Sequence, residues 1–120
     1  MLLVGESPPA NGKFFYVKSA MTTYTSRAFE KSHGMTFQDD AGFLRYFKEC
    51  GCFLDDLCHT PVDNLPRAER ERALERGVEP LSQRIRQANP PVVAIVLNRI
   101  ERFVNIVQKC SHGDNPIDWT

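Results

Sequence analysis

The feature that most constrains the fold is a run of six unbroken apolar residues at positions 92–97, four of them β-branched. Such a run is typical of a strand covered on both faces, as in a parallel sheet between two layers of helices. Residues 1–4, Met-Leu-Leu-Val, form a second candidate for a buried strand, which ends at Gly5. Residues 52–54 form a shorter strand that leads into Asp55 and Asp56.

Helical stretches separate these strands. The order strand, loop, helix, helix, strand, helix, strand, helix predicts a three-layer α/β/α fold with a central, mainly parallel sheet of about four strands. We expect residues 1–120 to form one domain, with a mobile tail at 111–120 apart from Ile117 and Trp119. The predicted helices cover residues 24–33, a stretch between Asp39 and Gly51, residues 66–76, residues 78–88 after a break at Gly77, and a last segment after Asn98.

Net charge and hydropathy argue against two classes of protein, general polyanion binders and membrane proteins. Fifteen basic and fifteen acidic side chains cancel, which argues against polyanion binding driven by net charge alone and leaves local patches open. No apolar run approaches the roughly 20 residues of a membrane span, and the apolar start lacks the features of a signal peptide. We therefore expect a cytoplasmic protein with no membrane partner.

The loop after the first strand is the most informative segment for function. Ligands of parallel sheets bind at the carboxyl ends of the strands, so the loops after Val4, around Asp55 and Asp56, and at Asn98 should converge. Residues 5–9, Gly-Glu-Ser-Pro-Pro, offer a carboxylate and a hydroxyl on a stiff loop, and residues 14–16 follow as Phe-Phe-Tyr. The aromatic rings could stack on a flat ligand such as a base. Equally, Glu6 could cap a turn and the aromatic side chains could belong to the core.

These segments resemble the uracil–DNA glycosylase superfamily. The resemblance is carried by Gly-Glu-Ser-Pro at 5–8, the aromatic run, Gly-Cys-Phe-Leu-Asp-Asp-Leu-Cys at 51–58 with Pro61 after it, and the final strand and helix at 90–110. It implies a parallel sheet between helices and removal of uracil or another damaged base flipped out of DNA by hydrolysis of the N-glycosidic bond. It implies DNA as the partner and no cofactor or metal.

By this resemblance, Glu6 and Ser7 are the expected catalytic residues, because they match the loop that orients the attacking water. Phe15 matches the aromatic residue that stacks on the extruded base, Asp56 stands where most members read the pyrimidine edge, and Pro9 stands where the common enzymes exclude thymine. Lys13 and Lys18 flank the aromatic run and are the expected contacts to DNA phosphate.

The sequence departs from the family in two places. A His-Pro-Ser-like DNA-clamping motif is expected well beyond Cys110, and Ser-His-Gly at 111–113 does not match it. The family also has helices before its first strand. The chain therefore looks like the central part of a glycosylase domain, truncated or naturally reduced. The alternative function is a non-catalytic module that binds a base, a nucleotide or DNA on the same fold, or a structural remnant with no activity.

Other polar groups are weaker candidates. Cys50 and Cys52, with Cys58 and His59, could bind zinc, but the spacing differs from paired C-x₂-C modules and favours buried free thiols. The arginines and glutamates that alternate over residues 67–86 could face phosphate, but are more typical of a solvated helix surface. A domain that ends near Cys110 would leave one strand edge open, which predicts self-association or a tail that folds back at 117–119.

Overall fold

Four short strands form the sheet of the computed structural model, which describes residues 1–12, 15–16, 19–110 and 117–120. The strands are β1 (Leu2–Gly5), β2 (Phe53–Asp56), β3 (Val92–Ile95) and β4 (Asp118–Trp119). Their spatial order is β2-β1-β3-β4, and every pairing is parallel. The predicted α/β fold with a central parallel sheet of about four strands is confirmed.

Four α-helices connect the strands: α1 (Ala20–His33), α2 (Asp40–Glu49), α3 (Arg67–Ala88) and α4 (Glu101–Cys110). A 3₁₀ turn at Asn98–Ile100 precedes α4. Helix α1 begins earlier than predicted, because the Ser19 hydroxyl accepts a hydrogen bond from the Thr22 N–H and caps its first turn. Helix α2 begins as predicted, with the Asp39 carboxylate accepting from the Gly42 N–H. Within the described residues, no helix is both long and apolar enough to span a bilayer.

The predicted break at Gly77 is wrong, because α3 is one continuous helix of 22 residues. A Cβ atom at position 77 would collide with the backbone carbonyl oxygen of Leu57, which follows β2. The absence of a side chain at Gly77 therefore allows α3 to approach the end of β2 closely, and the glycine does not end the helix. The helix also accommodates Pro80 in its interior.

Apolar side chains cover both faces of the sheet, as the unbroken apolar runs predicted. On one face, Leu2 and Val4 of β1 belong to a buried cluster with Leu81 of α3 and Val104 of α4. On the other face, Leu3 packs in a second cluster that joins three phenylalanines from the aromatic run and α2, namely Phe15, Phe43 and Phe47. Because both faces of β1 are buried, the strand contains no polar side chain.

The tail covers the edge of β3. The Asp118 N–H donates to the Pro91 carbonyl oxygen, the Thr120 N–H donates to the Val93 carbonyl oxygen, and the Ile95 N–H donates to the Thr120 carbonyl oxygen. Of the two outcomes expected at this edge, the structure has the one in which the tail folds back; self-association stays a prediction. Residues 111–116 lie outside the described part of the chain.

Candidate functional site

A cavity of about 530 Å³ lies at the carboxyl ends of the strands, where the sequence placed the site. We call it the strand-end pocket. It is formed by the loop after β1, the aromatic pair Phe15 and Tyr16, the first turn of α1, the end of β2 and the residues after β3. Cavities of about 300–1,000 Å³ with mainly apolar walls are typical of small-molecule sites.

The loop after β1 is tied to the loop after β2. The N–H groups of Leu57 and Cys58 donate to the carbonyl oxygens of Gly5 and Glu6 at 2.9 and 2.8 Å. The Ser7 hydroxyl accepts a hydrogen bond from the Val62 N–H at 3.3 Å. These bonds continue the β1–β2 pairing past the ends of the strands, so both loops face the pocket in a fixed arrangement.

Glu6 is buried and paired, although its carboxylate was expected at the open mouth of the sheet. Its side chain is 5% exposed, and its two oxygens accept hydrogen bonds from Arg99 Nε at 2.9 Å and Arg99 Nη2 at 3.0 Å. A bidentate pair of this kind fixes the carboxylate and uses both of its oxygens. Glu6 therefore lines the pocket without presenting a free carboxylate to it.

Asp56 is the pocket carboxylate that has no hydrogen-bond partner among the described residues. Its side chain lies over β1, where a Cβ atom at Gly5 would collide with Asp56 Oδ1. Burial, together with the negative charge of Asp55, raises the pKa of Asp56 to about 6. Gly5 is thus needed for space, and Asp56 can exist in either protonation state near neutral pH.

Asp55 is held differently from its neighbour. Its Oδ2 accepts from Arg84 Nε at 2.6 Å, and its Oδ1 lies 2.9 Å from His59 Nε2. Burial alone would raise the pKa of Asp55, but the hydrogen bonds from Arg84 and His59 outweigh it and lower the pKa. Arg84 also donates from Nη2 to the Asp56 carbonyl oxygen at 3.0 Å, so α3 fixes the end of β2. Two adjacent carboxyls therefore have opposite pKa shifts.

Two aromatic side chains form a wall of the pocket. Phe15 is 7% exposed and packs edge-on against Tyr16, with ring centroids 5.0 Å apart. The Thr22 hydroxyl donates to the Phe15 carbonyl oxygen at 2.6 Å and holds this turn against α1. The Tyr16 hydroxyl accepts from the Leu54 N–H at 2.6 Å, and burial is the main reason that the pKa of Tyr16 is raised.

The structure brings together five of the seven site residues expected from the sequence. These are Glu6, Ser7, Pro9, Phe15 and Asp56. Both readings of the aromatic run apply to Phe15, since it lines the pocket and also packs in the core with Phe43 and Phe47. Lys13 and Lys18, the expected phosphate contacts, lie outside the described residues.

Sequence reasoning missed the arginines that organise this site. The alternating charges of α3 predict a solvated position for Arg84, yet it binds Asp55, and no motif in the sequence indicates Arg99 as a site residue. Arg70 also differs from the expectation, because it donates to the carbonyl oxygens of Val62 and Asp63. The one available signal for Arg99 was its place directly after Asn98, at a strand end that was expected to face the site.

The cysteines do not form a metal centre within the described part of the chain. All four are free thiols; Cys58 is buried, Cys50 is exposed, and Cys52 and Cys110 are half-buried. The expectation of buried thiols therefore holds for Cys58 and is wrong for Cys50. Among the described residues, no group of three or more histidine, cysteine, aspartate or glutamate side chains could hold a metal ion.

Comparison with known proteins gave no relationship on which a function could rest. No protein-family model matches this chain, and a search of curated proteins found no significant match.

Proposed function

We propose that the protein is a base-excision glycosylase that binds an extruded nucleobase of DNA in the strand-end pocket and hydrolyses its N-glycosidic bond. The observation that carries the proposal is the meeting of Glu6, Ser7, Pro9, Phe15 and Asp56 in one cavity. These residues come from three separate segments and were assigned by their resemblance to the uracil–DNA glycosylase superfamily. A cytoplasmic location and the contacts of Lys13 and Lys18 with DNA phosphate belong to the same proposal.

The pocket has the chemistry of a site for a flat, largely uncharged ring. Phe15, Leu54 and Val96 supply apolar wall, and the Asp56 carboxyl supplies one polar group that no side chain of the described ranges engages. In its ionised form Asp56 accepts a hydrogen bond from a ring N–H, and in its protonated form it donates to a ring carbonyl. A pKa of about 6 gives access to both forms.

The cleavage step needs a negative charge close to the sugar. Water adds to the anomeric carbon as the bond to the base breaks, the electron pair leaves with the base, and the proton of the water passes to a carboxylate or to the departing base. A nearby carboxylate stabilises the sugar cation that develops. Since Arg99 occupies both oxygens of Glu6, we assign this charge to Asp56, with the Glu6–Arg99 pair holding the loop.

A second candidate is a non-catalytic module that binds a base or nucleotide in the same pocket. It is favoured by the Glu6–Arg99 pair, because both oxygens of the residue expected to activate water are already bonded to a cation. The two candidates share the binding step and differ only in whether the glycosidic bond breaks.

The test measures binding and cleavage on the same labelled strand. Single strands that contain uracil, then other damaged bases, are incubated with the protein, and alkaline cleavage reveals abasic sites; affinity is measured by fluorescence anisotropy. We expect Asp56→Asn to abolish abasic product with little loss of affinity. The charge-matched control Asp118→Asn changes an exposed carboxylate of β4 and should retain both.

A second variant addresses the aromatic wall. Phe15→Leu is preferred to Phe15→Ala, because truncation of a buried phenylalanine to alanine costs about 3–5 kcal/mol of folding free energy. We expect Phe15→Leu to weaken binding of the modified strand with less damage to the fold. Binding without abasic product in the parent protein would leave the second candidate, and absence of any preference for a modified base would reject both.

A further inference from the structure

A second cavity, of about 400 Å³, shares Glu6 with the strand-end pocket. We call it the arginine cavity, because four of its lining residues are arginines: Arg67, Arg70, Arg99 and Arg102. Glu6 and Glu71 are its carboxylates, and Leu74 and Phe103 complete the lining. Four guanidinium groups against two carboxylates leave an excess of two positive charges in one concave site, although the whole chain has no net charge.

The arginines come from three elements, which are α3, the 3₁₀ turn and α4. Arg67 is the first residue of α3, and Arg70 lies in its first turn. Arg99 lies in the 3₁₀ turn, and Arg102 lies in the first turn of α4. The first turn of α3, whose N-cap residue Pro66 makes no side-chain hydrogen bond, presents the positive end of the helix dipole, which adds to the positive potential of the guanidinium groups.

The carboxylates do not neutralise the cavity. Glu71 Oε1 lies 3.0 Å from Arg102 Nη2 and 3.6 Å from Arg67 Nε, so one carboxylate serves two arginines. Arg70 donates to backbone carbonyl oxygens, which carry no formal charge. Arg67 is 93% exposed and Arg102 is 62% exposed, so their guanidinium groups remain accessible to a ligand.

We propose that the arginine cavity binds a phosphate group. The planar fork of arginine matches phosphate oxygens in pairs, and helix N-termini are established anion sites. Alternation of charge along α3 accounts for a solvated arginine such as Arg72, which is exposed. It does not account for the meeting of Arg67 and Arg70 with two arginines from the segment after β3.

The phosphate belongs to the nucleic-acid strand whose base enters the strand-end pocket. This assignment rests on the proposed function and on the shared wall residue Glu6, which makes the two cavities neighbours. A free phosphate has the same chemistry, and the experiment separates the two sources. The phosphate site itself does not depend on cleavage of a base.

The first arm measures binding of a short single-stranded thymidine oligonucleotide as a function of salt concentration. This probe contains no base to excise, so its result is independent of glycosylase activity. Loss of one phosphate contact should reduce the slope of log K against log salt by about 0.7. We expect this reduction for Arg102→Gln and for Arg67→Gln, whose exposed side chain makes folding damage small, and no reduction for Arg72→Gln on the same helix.

The second arm titrates inorganic phosphate into the protein and follows the arginine Nε–Hε signals by NMR. Selective shifts of the cavity arginines, with Arg72 unchanged, support the phosphate site. Equal slope changes in all three variants, or no selective shifts, would overturn it in favour of a diffuse charged surface. Selective shifts without any variant-specific change in oligonucleotide binding would overturn the strand as the source and assign a free phosphate.

Discussion

Arg99 binds both carboxylate oxygens of Glu6, although 93 residues separate the two in the chain. The pair joins the loop after β1 to the turn that precedes α4, across the carboxyl ends of the central strands. Glu6 is buried, whereas the Arg99 side chain is 60% exposed. The buried carboxylate therefore depends on Arg99 to compensate its negative charge, whereas Arg99 is also solvated by water. The pair therefore stabilises the architecture of the pocket.

Loss of the arginine should destabilise the fold more than neutralisation of the glutamate. Arg99→Met leaves a buried carboxylate unpaired and should cost about 1–3 kcal/mol, below the range for fully buried pairs because solvent reaches Arg99. Glu6→Gln keeps an oxygen that can accept from Arg99 and should cost less. Urea unfolding of both variants and of the double variant measures the coupling; Arg72→Met is the matched control, and strictly additive effects would contradict the pairing.

The sheet was largely predictable because burial on both faces leaves a signal in local sequence. The run at 92–97 and the first four residues contain no polar position, and both became central strands. Strand β4 carries no such signal, because its two residues are Asp118 and Trp119, and its pairing depends on a partner more than 20 residues away. Gly77 was equally ambiguous, because a glycine in a helical pattern can either end the helix or allow another segment to approach it closely. The close approach of α3 to Leu57 is a property of the tertiary fold that local sequence does not show.

The position of the candidate site was predictable, and its internal pairing was not. Parallel strands deliver their carboxyl ends to one edge, so Ser7 and Asp56 meet whatever the details of packing. Whether a carboxylate is free or paired depends on which cation the helices bring to it. Arg84 binds Asp55 and Arg99 binds Glu6, which leaves the Asp56 carboxyl without a hydrogen-bond partner in the part of the chain that the structure describes.

The hydroxyl of Tyr16 should protect the outer edge of β2. It accepts from the Leu54 N–H and lies 3.4 Å from the Leu54 carbonyl oxygen, on a strand that is at the edge of the sheet formed by the described residues. Tyr16→Phe keeps the ring and removes the hydroxyl, so we expect a loss of about 1 kcal/mol of stability. Hydrogen exchange of the Leu54 amide should become faster. Tyr24→Phe changes a tyrosine that is 66% exposed and should alter neither quantity; unchanged exchange at Leu54 in Tyr16→Phe would refute the role.

Alanine at position 77 should destabilise the protein despite its higher helix propensity. In an unconstrained helix, replacement of glycine by alanine stabilises by about 1 kcal/mol. Here the added Cβ atom meets the Leu57 carbonyl oxygen, so the helix must shift and we expect a net loss of about 1–3 kcal/mol. Thermal and urea unfolding of Gly77→Ala measure whether the substitution lowers or raises the free energy of unfolding. Gly42→Ala is the comparison, because its Cβ atom would meet only the Asp39 side chain, at 3.2 Å; a stabilised Gly77→Ala variant would show that the close approach is not restrictive.

Protonation of Asp56 should make the protein more stable as pH falls towards about 4. The pKa of this carboxyl is raised from 3.8 to about 6 by burial and by Asp55, so the folded state binds the proton more tightly than the unfolded chain does. The resulting stabilisation is fully present below the pKa that Asp56 has in the unfolded chain, and it is lost as the pH rises through about 6. Asp56→Asn should remove this dependence and increase stability at neutral pH, as measured by urea unfolding across the range.

His59 lies beside this pair of carboxyls, so the Asp56→Asn comparison is made in the parent and in a His59→Gln background. His59 lies against the Asp55 carboxylate, and its electrostatic effect opposes the rise in the pKa of Asp56; the effect of Asp56→Asn should be present in both backgrounds. The carboxyl carbon signal of Asp56, followed by NMR, should titrate near pH 6, separately from that of Asp55, whose pKa is lowered. A signal that titrates near 3.8 would contradict the raised pKa and show that solvent reaches this carboxyl. A pH dependence of stability that persists unchanged in Asp56→Asn would show that another group causes it.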